Sequence, residues 1–446
     1  MLFEQMKNAL IAAANEAGIA QYEIYYQVGE SISAETLKDE ISAFASSVSG
    51  GICFRCIVDG KMGYASSELM TEDAMQELVQ KAISNAACID SEDEVFIFEG
   101  SLEYAKIDTS DVKLNDAAVI RDTALRLQKE TYSQSDKVTD GTQSIAMSSV
   151  SEVRLYNSNG LSLSNRTGMS GAYAVAVVRD GEEAQESFDF SVGETFEEVK
   201  EVSANAVREA LDKMGATVAP SGKQNVVFSG KEFRNFLAVF SAAFSAKNAQ
   251  LGLSLLAGKE EQEIAKPFVN IVDDPMREGS PIKIPFDGEG VATARRSVVE
   301  NGILKTLLYD LTTAKKAGVT STGNGQKGSY AAPVAIAPYN FGLMAGEDSL
   351  DTLFSKAGEG IYITECKGFH AGADAVTGDF SIESAGFMIR DGKLAEPVKS
   401  FTVAGNFFEL LKAIDSLGDK VHWGIPGKTV FGSPDVLVRD MSVAGK

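Results

Sequence analysis

The N-terminal part of the chain shows a helical pattern of apolar positions followed by strand-like alternation. Apolar residues recur at helical spacing between Leu2 and Leu10, and Gly18 offers a place for that helix to end. Tyr22–Val28 and Ile52–Val58 then alternate apolar and polar residues, and Asp59-Gly60 is typical of a tight hairpin turn. The pattern predicts a helix that leads into an antiparallel sheet.

Further helices are predicted along the first half of the chain. Thr71 is a typical N-cap for a helix whose inner face is apolar. Two more helices are predicted at Val112–Thr131 and Thr195–Met214, with a β-rich stretch between them. Pro220 and Gly222 make the segment from Gly215 to Lys223 a candidate linker. We therefore expect two domains, residues 1–215 and 224–446.

The second half combines one phenylalanine-rich helix with many short strands. Glu232–Ala249 carries phenylalanines at helical spacing, which core packing explains without any functional role. Hairpin turns are predicted at Asn301-Gly302 and Asp391-Gly392, and glycine-rich loops span residues 318–328 and 368–378. Antiparallel sheets dominate both halves, which favours an α+β fold over a doubly wound nucleotide-binding fold.

Length and charge narrow the classes of function. A chain of 446 residues exceeds the size at which one hydrophobic core keeps growing. Its 63 acidic and 41 basic residues give a net charge of -22, which repels nucleic acids and anionic membranes. Neither a membrane-spanning apolar run nor a cationic signal segment is evident, so we expect a cytoplasmic protein with no nucleic-acid or membrane partner.

The four cysteines do not suggest a disulfide framework. Cys53 and Cys56 have the spacing of redox and zinc motifs, but they lie in a predicted strand, which directs positions i and i+3 to opposite faces. Cys88 and Cys366 are far away in the sequence. We expect four reduced cysteines that serve packing.

Several segments in order along the chain resemble the PmbA branch, also called TldE, of the TldD/PmbA peptidase family. They cover both halves: Gly50–Arg55, Asp59–Ser66, Val272–Pro275, Pro285–Val291, Glu300–Lys305, Ser321–Asn324, Val376–Ser381, Glu396–Val398 and Thr402–Asn406. The resemblance implies a two-domain α+β architecture, with an N-terminal α/β sheet domain and a C-terminal domain of twisted, barrel-like β-sheet. It also implies dimers that enclose a cleft or chamber.

This chain lacks the zinc ligands of the metal-bearing members of the family that it resembles. In metal-bearing members of the family, a helix carries His-Glu-x-x-x-His and a cysteine near the C-terminus completes a zinc site. The corresponding helix here is residues 232–249, where Ala238 and Val239 stand in place of His-Glu and Ala243 in place of the second histidine. The cysteine position falls near Trp423–Gly427, which contains no cysteine. We therefore expect no cofactor in this chain and zinc in a partner.

The chain has only two histidines, His370 and His422, which are too far apart in the sequence for a short zinc motif. A split site built from both histidines, Cys366 and a carboxylate remains an alternative, because ligands need only converge in space.

The segments of resemblance also suggest residues that line a peptide cleft. An acidic stretch in and after the loop 368–378 could face a cation or a peptide amino terminus, or could be an ordinary solvated loop. The candidate cleft residues are Ser321, Gly323, Asn324, His370, Asp374, Asp379, Ser381 and Asn406.

The resemblance implies a subunit without catalysis of its own. It would shape the chamber and bind extended or unfolded peptide, while a metal-bearing TldD-like partner performs proteolysis. Two alternatives stay open: a self-sufficient peptidase with a relocated metal site, and a homodimeric peptide-binding scaffold without catalysis. The family's older description as a modulator of DNA gyrase does not imply contact with DNA, and the acidic charge argues against it.

Overall fold

The computed structural model describes residues 2–90, 93–193, 196 and 199–446. The helices are α1 Phe3–Glu16, α2 Glu72–Ala86, α3 Ala117–Ser133, α4 Val199–Asp212, α5 Gly230–Phe240, α6 Ala246–Gln250, α7 Leu311–Ala317, α8 Leu350–Ala357, α9 Phe369–Gly372 and α10 Phe407–Ala413, with a 3-10 turn at Ser241–Phe244. The first six strands are β1 Tyr22–Leu37, β2 Glu40–Val58, β3 Lys61–Ser67, β4 Gln143–Asn157, β5 Ser162–Asp180 and β6 Glu183–Gly193.

The remaining strands follow residue 215. They are β7 Thr217–Val218, β8 Gly222–Phe228, β9 Ile271–Asp273, β10 Arg296–Glu300, β11 Ile303–Leu304, β12 Gly325–Lys327, β13 Val334–Ile336, β14 Asn340–Leu343, β15 Gly360–Lys367, β16 Asp379–Arg390, β17 Lys393–Asn406, β18 Ile414–Leu417, β19 His422–Trp423, β20 Val430–Ser433 and β21 Val436–Ala444. In the described part of the chain, no helix is both long and apolar enough to span a membrane.

The first six strands form one antiparallel sheet in the order β3-β2-β1-β4-β5-β6. Alternate residues of these strands, such as Ile24, Ile52 and Phe54, are buried against α1 and α2. Further along the same sheet, α3 and α4 cover other apolar positions. Because side chains alternate between the two faces of a strand, the helices cover one face of the sheet and the C-terminal part of the chain packs against the other.

The C-terminal part is built around a closed barrel of five strands: β8, β15, β16, β17 and β21. A second sheet, with the order β11-β10-β9-β14-β20-β19, packs with α5 and the barrel strands into one hydrophobic core. Tyr25 and Cys53 of the N-terminal sheet contact Phe286 and Tyr330 of C-terminal loops, which joins the two parts. The predicted α+β fold with a barrel-like C-terminal half is confirmed.

Most local predictions are confirmed. The first helix ends before Gly18, whose φ is +70°, and the hydroxyl of Thr71 accepts the Ala74 N–H at 3.3 Å as the N-cap of α2. Cys53 and Cys56 point to opposite faces of β2 and are free thiols. Thr195, where α4 was predicted to begin, lies outside the described residues.

The predicted helix start at Val112 is wrong, because α3 begins at Ala117. Asn115 explains the difference: its backbone N–H donates to Ser148 Oγ at 3.2 Å and its side chain to Ser170 Oγ at 2.6 Å. These bonds hold the preceding segment against the sheet, so the helix can begin only beyond them.

The segment from Gly215 to Lys223 is not a free linker, which corrects the sequence-based expectation. Thr217 pairs with Val398 of β17 in parallel register, and β8 already begins at Gly222. Ala219 is fully buried and its carbonyl accepts the Lys446 N–H at 2.9 Å. The backbone satisfies its hydrogen bonds in the barrel sheet rather than in solvent.

Candidate functional site

Helix α5 begins where the sequence provides a cap. Ser229 is extended, and its side chain accepts the Glu232 N–H at 3.3 Å. Phe233, Phe236 and Phe240 then lie on one face and are fully buried. Phe240 stacks on Phe407 with ring centroids 4.5 Å apart. The helix is anchored by aromatic packing, which confirms the core-packing interpretation.

The predicted helix 232–249 is interrupted, which corrects the expectation of one continuous element. α5 ends at Phe240, a 3-10 turn follows, and α6 begins at Ala246. Ser245 between them is extended, with ψ of 122°, and it bridges to Leu308. The buried Phe244 contacts Phe341 with ring centroids 5.3 Å apart. This contact with the second sheet is long-range, so local periodicity does not show the break.

The three residues at the family's ligand positions carry only hydrocarbon. Ala243 is 1% exposed within the core, and Val239 packs against the same core. Ala238 offers its backbone carbonyl to the Ser241 hydroxyl at 2.8 Å. Zinc requires nitrogen, sulfur or carboxylate donors, so these residues do not fit the family's metal.

The segment that replaces the family's cysteine is held by arginines. The Trp423 carbonyl accepts Arg234 Nη1 at 2.7 Å, and the Arg277 guanidinium lies 4.3 Å from the centroid of the Trp423 ring. A cation over an indole face is a favourable contact. Trp423 therefore serves packing at this position.

The alternative of a split site has no support in the geometry. His370 is exposed on α9, whereas His422 is half-buried beside Gly230, and burial lowers its pKa. Cys366 lies on β15 with its Sγ 3.7 Å from Ser384 Oγ. Within residues 2–90, 93–193, 196 and 199–446, no three His, Cys, Asp or Glu side chains form a group that could hold a metal ion.

Glu232, which the sequence did not single out, is a half-buried acid in the first turn of α5. Its Oε2 accepts the Cys366 N–H and the Asn235 side-chain amide, both at 3.1 Å. Burial raises the pKa of Glu232 to about 7. The carboxyl thus joins the start of the helix to β15.

The candidate cleft residues of the loop 318–328 form a buried network. The side chain of Asn324 donates to Asp273 Oδ2 at 2.7 Å, and the Tyr339 N–H donates to Asp273 Oδ1 at 2.8 Å. Ser321 Oγ donates to the Tyr309 carbonyl and accepts the Gly323 N–H, both at 3.1 Å. Burial raises the pKa of Asp273 to about 6. These bonds fix the loop against β9.

The candidate cleft residues near the acidic stretch form a second, more exposed network. Asp374 Oδ1 accepts the Val376 N–H at 2.8 Å, which closes the loop on itself. Asn406 caps α10 and donates to Asp379 Oδ1 at 2.9 Å. His370 and Ser381 are exposed. None of the hydrogen bonds found among the described residues joins this network to that of Asn324.

The most charged buried region lies where the two parts of the chain meet. We call Glu23, Arg55, Asp287, Glu289 and Lys327 the Arg55 cluster. Arg55 Nη2 donates to Glu23 Oε2 at 2.9 Å, and their side chains are only 14% and 2% exposed. Burial alone would lower the pKa of Arg55, but the charges of Glu23 and then Glu289 raise it overall. This ion pair is a cross-strand pair of β1 and β2.

The C-terminal part contributes two acids to the Arg55 cluster. Asp287 accepts the N–H groups of Glu289, Val291 and Gly325 at 2.9 Å each. A Cβ on Gly325 would lie 2.6 Å from Glu289 Oε2, so any side chain there would displace this carboxyl. Burial raises the pKa of both acids, that of Glu289 to about 7. Backbone N–H groups and Arg55 thus stabilise acids that burial disfavours.

Lys327 completes the Arg55 cluster from β12. Its Nζ lies 5.0 and 5.6 Å from the ring centroids of Tyr25 and Tyr64, and 3.9 Å from Cys53 Sγ. Burial lowers the pKa of Lys327. The ammonium is held by aromatic faces and a thiol of the N-terminal sheet. The cluster therefore joins the two parts of the chain.

The sequence did contain a signal for this cluster. Arg55 ends one segment of family resemblance, and Asp287 and Glu289 lie in another. Only the fold brings these segments together, because residues 55 and 287 belong to different sheets and loops.

The chain belongs to the PmbA/TldD metallopeptidase family, as its fold and the match of three family domains show. Models of the PmbA/TldA metallopeptidase match domain 1 at residues 22–86, the central domain at residues 108–214 and the C-terminal domain at residues 221–445. The first two models share the six-stranded sheet. The third covers the barrel and α5.

Relatives and solved structures extend this match over the whole chain. A metalloprotease PmbA homologue of Haemophilus influenzae is 26% identical, covering 98% of this chain and 94% of its own. A crystal structure from Thermotoga maritima, of a protein for which a role as modulator of a DNA gyrase has been suggested, is 29% identical, with a TM-score of 0.88 and coverage of 99% and 100%. TldE from Thermococcus kodakarensis has the same fold, with a TM-score of 0.89, 21% identity and coverage of 99% and 100%.

Proposed function

We propose that this chain is a non-catalytic PmbA/TldE-type subunit of a metallopeptidase complex. It shapes a peptide chamber and binds unfolded peptide, while a metal-bearing TldD-like partner cleaves it. The observation that carries the proposal is the chemistry of α5 and the turn after it: at the positions that the resemblance assigns to the ligands stand Ala238, Val239 and Ala243, whose side chains offer no donor atom. Membership of the family supports the peptide as the class of substrate.

The first test is elemental analysis of the chain after purification without chelators and incubation with zinc. We expect less than about a tenth of an equivalent of zinc to be retained, because no strong donor set is available at α5. Stoichiometric, tightly held metal would contradict the proposal. His370, His422 and Cys366 would then be changed one at a time.

The second test measures proteolysis. An unfolded polypeptide should stay intact with this chain alone and be cleaved when a family member with His-Glu-x-x-x-His is added. A version of that member with the motif glutamate changed to glutamine is the control and should restore no cleavage. Cleavage by this chain alone would favour the alternative of a self-sufficient peptidase.

A further inference from the structure

The outer half of β2 is an open sheet edge. β2 runs from Glu40 to Val58, but β3 pairs only with its inner half, Ile52–Val58. On its other side, β2 pairs with β1 along nearly its whole length, from Leu37↔Glu40 to Tyr22↔Cys56. No described strand pairs with the outer side of residues 40–51. Alternate N–H and C=O groups of this half therefore face solvent.

The open edge lacks the usual protection against pairing. Residues 41–54 carry no charge, and each residue from 42 to 49 is exposed. Phe44 and Val48 are 46% and 73% exposed. The opposite edge of the same sheet, β6, carries Glu183, Glu186 and Asp189 and is packed by α4. Natural proteins protect edge strands with charge, proline or cover, and the β2 edge has none of these.

The space beside residues 41–50 of β2, in line with β3, is closed at one end and open at the other. β3 stops at Ser67, opposite Ile52, and Tyr330 Oη donates to Glu68 Oε1 at 2.6 Å just beyond. The space for a Cβ on Gly51 is taken by the Tyr330 ring, 2.4 Å away. An added strand can therefore cover residues 41–50 but not pass Tyr330, which limits it to about ten residues.

We propose that the outer half of β2 binds an extended, neutral to basic polypeptide as an added β-strand in line with β3. This rests on the proposed function, because it names where the unfolded peptide is held. Main-chain hydrogen bonds supply affinity that tolerates many sequences, as an unfolded substrate requires.

Charge favours a peptide over a second copy of this chain. Glu68 lies at the closed end of the edge, and Asp39 and Glu40 lie at the open end. An antiparallel pair of two β2 edges, centred on Ala45, would place Glu40 of one copy opposite Gly50 of the other, beside Glu68. Like charges repel there, whereas a lysine or arginine of a peptide would be attracted.

A groove of mixed polarity next to the edge offers room for a peptide side chain. It has a volume of about 230 Å³, and hydroxyl groups of four neighbouring strands, Ser31, Ser49, Ser149 and Thr167, line it together with apolar residues such as Met169. Ser31 Oγ and Ser47 Oγ lie 2.9 Å apart on the adjoining strands. A side chain of the added strand that faces Ser49 meets this groove, which can hydrogen-bond polar groups.

The test uses the chain alone and a labelled peptide of alternating valine and threonine with lysine at both ends. Fluorescence anisotropy should show saturable binding. Methylation of every second backbone nitrogen should weaken it roughly tenfold or more, because the main-chain donors are lost. The double variant Phe44→Lys/Val48→Lys should weaken it similarly, because lysines on an edge strand oppose pairing and repel the basic peptide. Both positions are exposed and can accept charge without unfolding.

The control variant is Phe188→Lys, which changes a similarly exposed phenylalanine, 49% exposed, on the covered edge β6. It should leave binding unchanged. The inference would be overturned if the methylated peptide bound as well as the unmethylated one, or if the β2 double variant bound the peptide undiminished. It would also be overturned if the chain were a homodimer that the β2 double variant dissociates and the control variant does not. This test is independent of the tests of the proposed function. Peptide binding is measured with the chain alone, whereas the proposed function is tested by zinc content and by proteolysis with a partner.

Discussion

α5 and the Arg55 cluster are both buried, yet they have opposite chemistry. The family resemblance relates α5 and the turn after it to the helix that carries the zinc ligands in metal-bearing members, and here phenylalanine, alanine and valine of this segment pack in the core. The Arg55 cluster holds three carboxyl groups, a guanidinium and an ammonium at the junction of the sheet and the C-terminal loops. The comparison shows that the positions which the resemblance assigns to zinc ligands do not form a polar cavity. The buried charge of this chain lies where its two parts meet.

The largest effect is expected at the ion pair of the Arg55 cluster. Arg55→Met should lower the free energy of unfolding by about 3–5 kcal/mol, because Glu23 would remain charged without its partner. Denaturant-induced unfolding measures the change. The double variant Arg55→Met/Glu23→Leu is the control and should recover much of the loss. A single variant as stable as the wild type would show that the buried Glu23–Arg55 ion pair does not stabilise the fold.

A smaller effect is expected when a ligand is put back into α5. Ala243→His should cost about 1–3 kcal/mol of stability, because residue 243 is fully enclosed by core side chains. It should bring no zinc, since the other positions still lack donors. The matched control is Ala242→His at the exposed neighbouring position, which should stay within about 0.5 kcal/mol. Equal stability of the two variants would contradict tight packing at residue 243.

The smallest expected effect is on the pH dependence of stability, to which Glu232 of α5 and the acids of the Arg55 cluster both contribute. Burial raises the pKa of Glu232 from 4.5 to about 7, so the folded protein keeps a proton that the unfolded chain releases in this range. Stability should therefore fall as the pH rises from 4.5 to 7. Glu289 acts in the same direction.

Glu232→Gln should make that fall shallower, because the amide does not titrate. Urea unfolding at several pH values between 4.5 and 7 gives the slope. Glu300→Gln, at an exposed position on β10, is the comparison variant. A slope unchanged by Glu232→Gln would show that the proton is held elsewhere, with the Arg55 cluster as the next place to look.

Local signals in the sequence predicted the elements but not their extent. Thr71 and Asp59-Gly60 are recognisable because the bonds and φ values that they satisfy are local. β1 and β2 were predicted only at Tyr22–Val28 and Ile52–Val58. The serine-rich outer half of β2 shows no regular alternation, whereas in the outer half of β1 the buried Ile32 and Ala34 do alternate with polar residues. The structure extends β1 to Leu37 and starts β2 at Glu40.

The same limit explains what was missed at the site. Glu23 and Arg55 face each other only once the register of β1 and β2 is known, and Asp287 joins them only through the tertiary fold. The alanines at the ligand positions were predictable, because a missing donor is visible in the sequence itself. The sequence could not show that the candidate cleft residues form two separate networks, because their hydrogen bonds depend on the tertiary fold.

The strand order of the barrel has a consequence for synthesis on the ribosome. β21 lies between β8 and β17 and closes the barrel, and it is the last strand in chain order. The six-stranded sheet is complete by residue 193, so it can form while translation continues. The barrel must wait until residues 436–444 have emerged. During that interval α5 and its phenylalanines lack their full enclosure, so the nascent chain exposes apolar surface that the finished barrel buries.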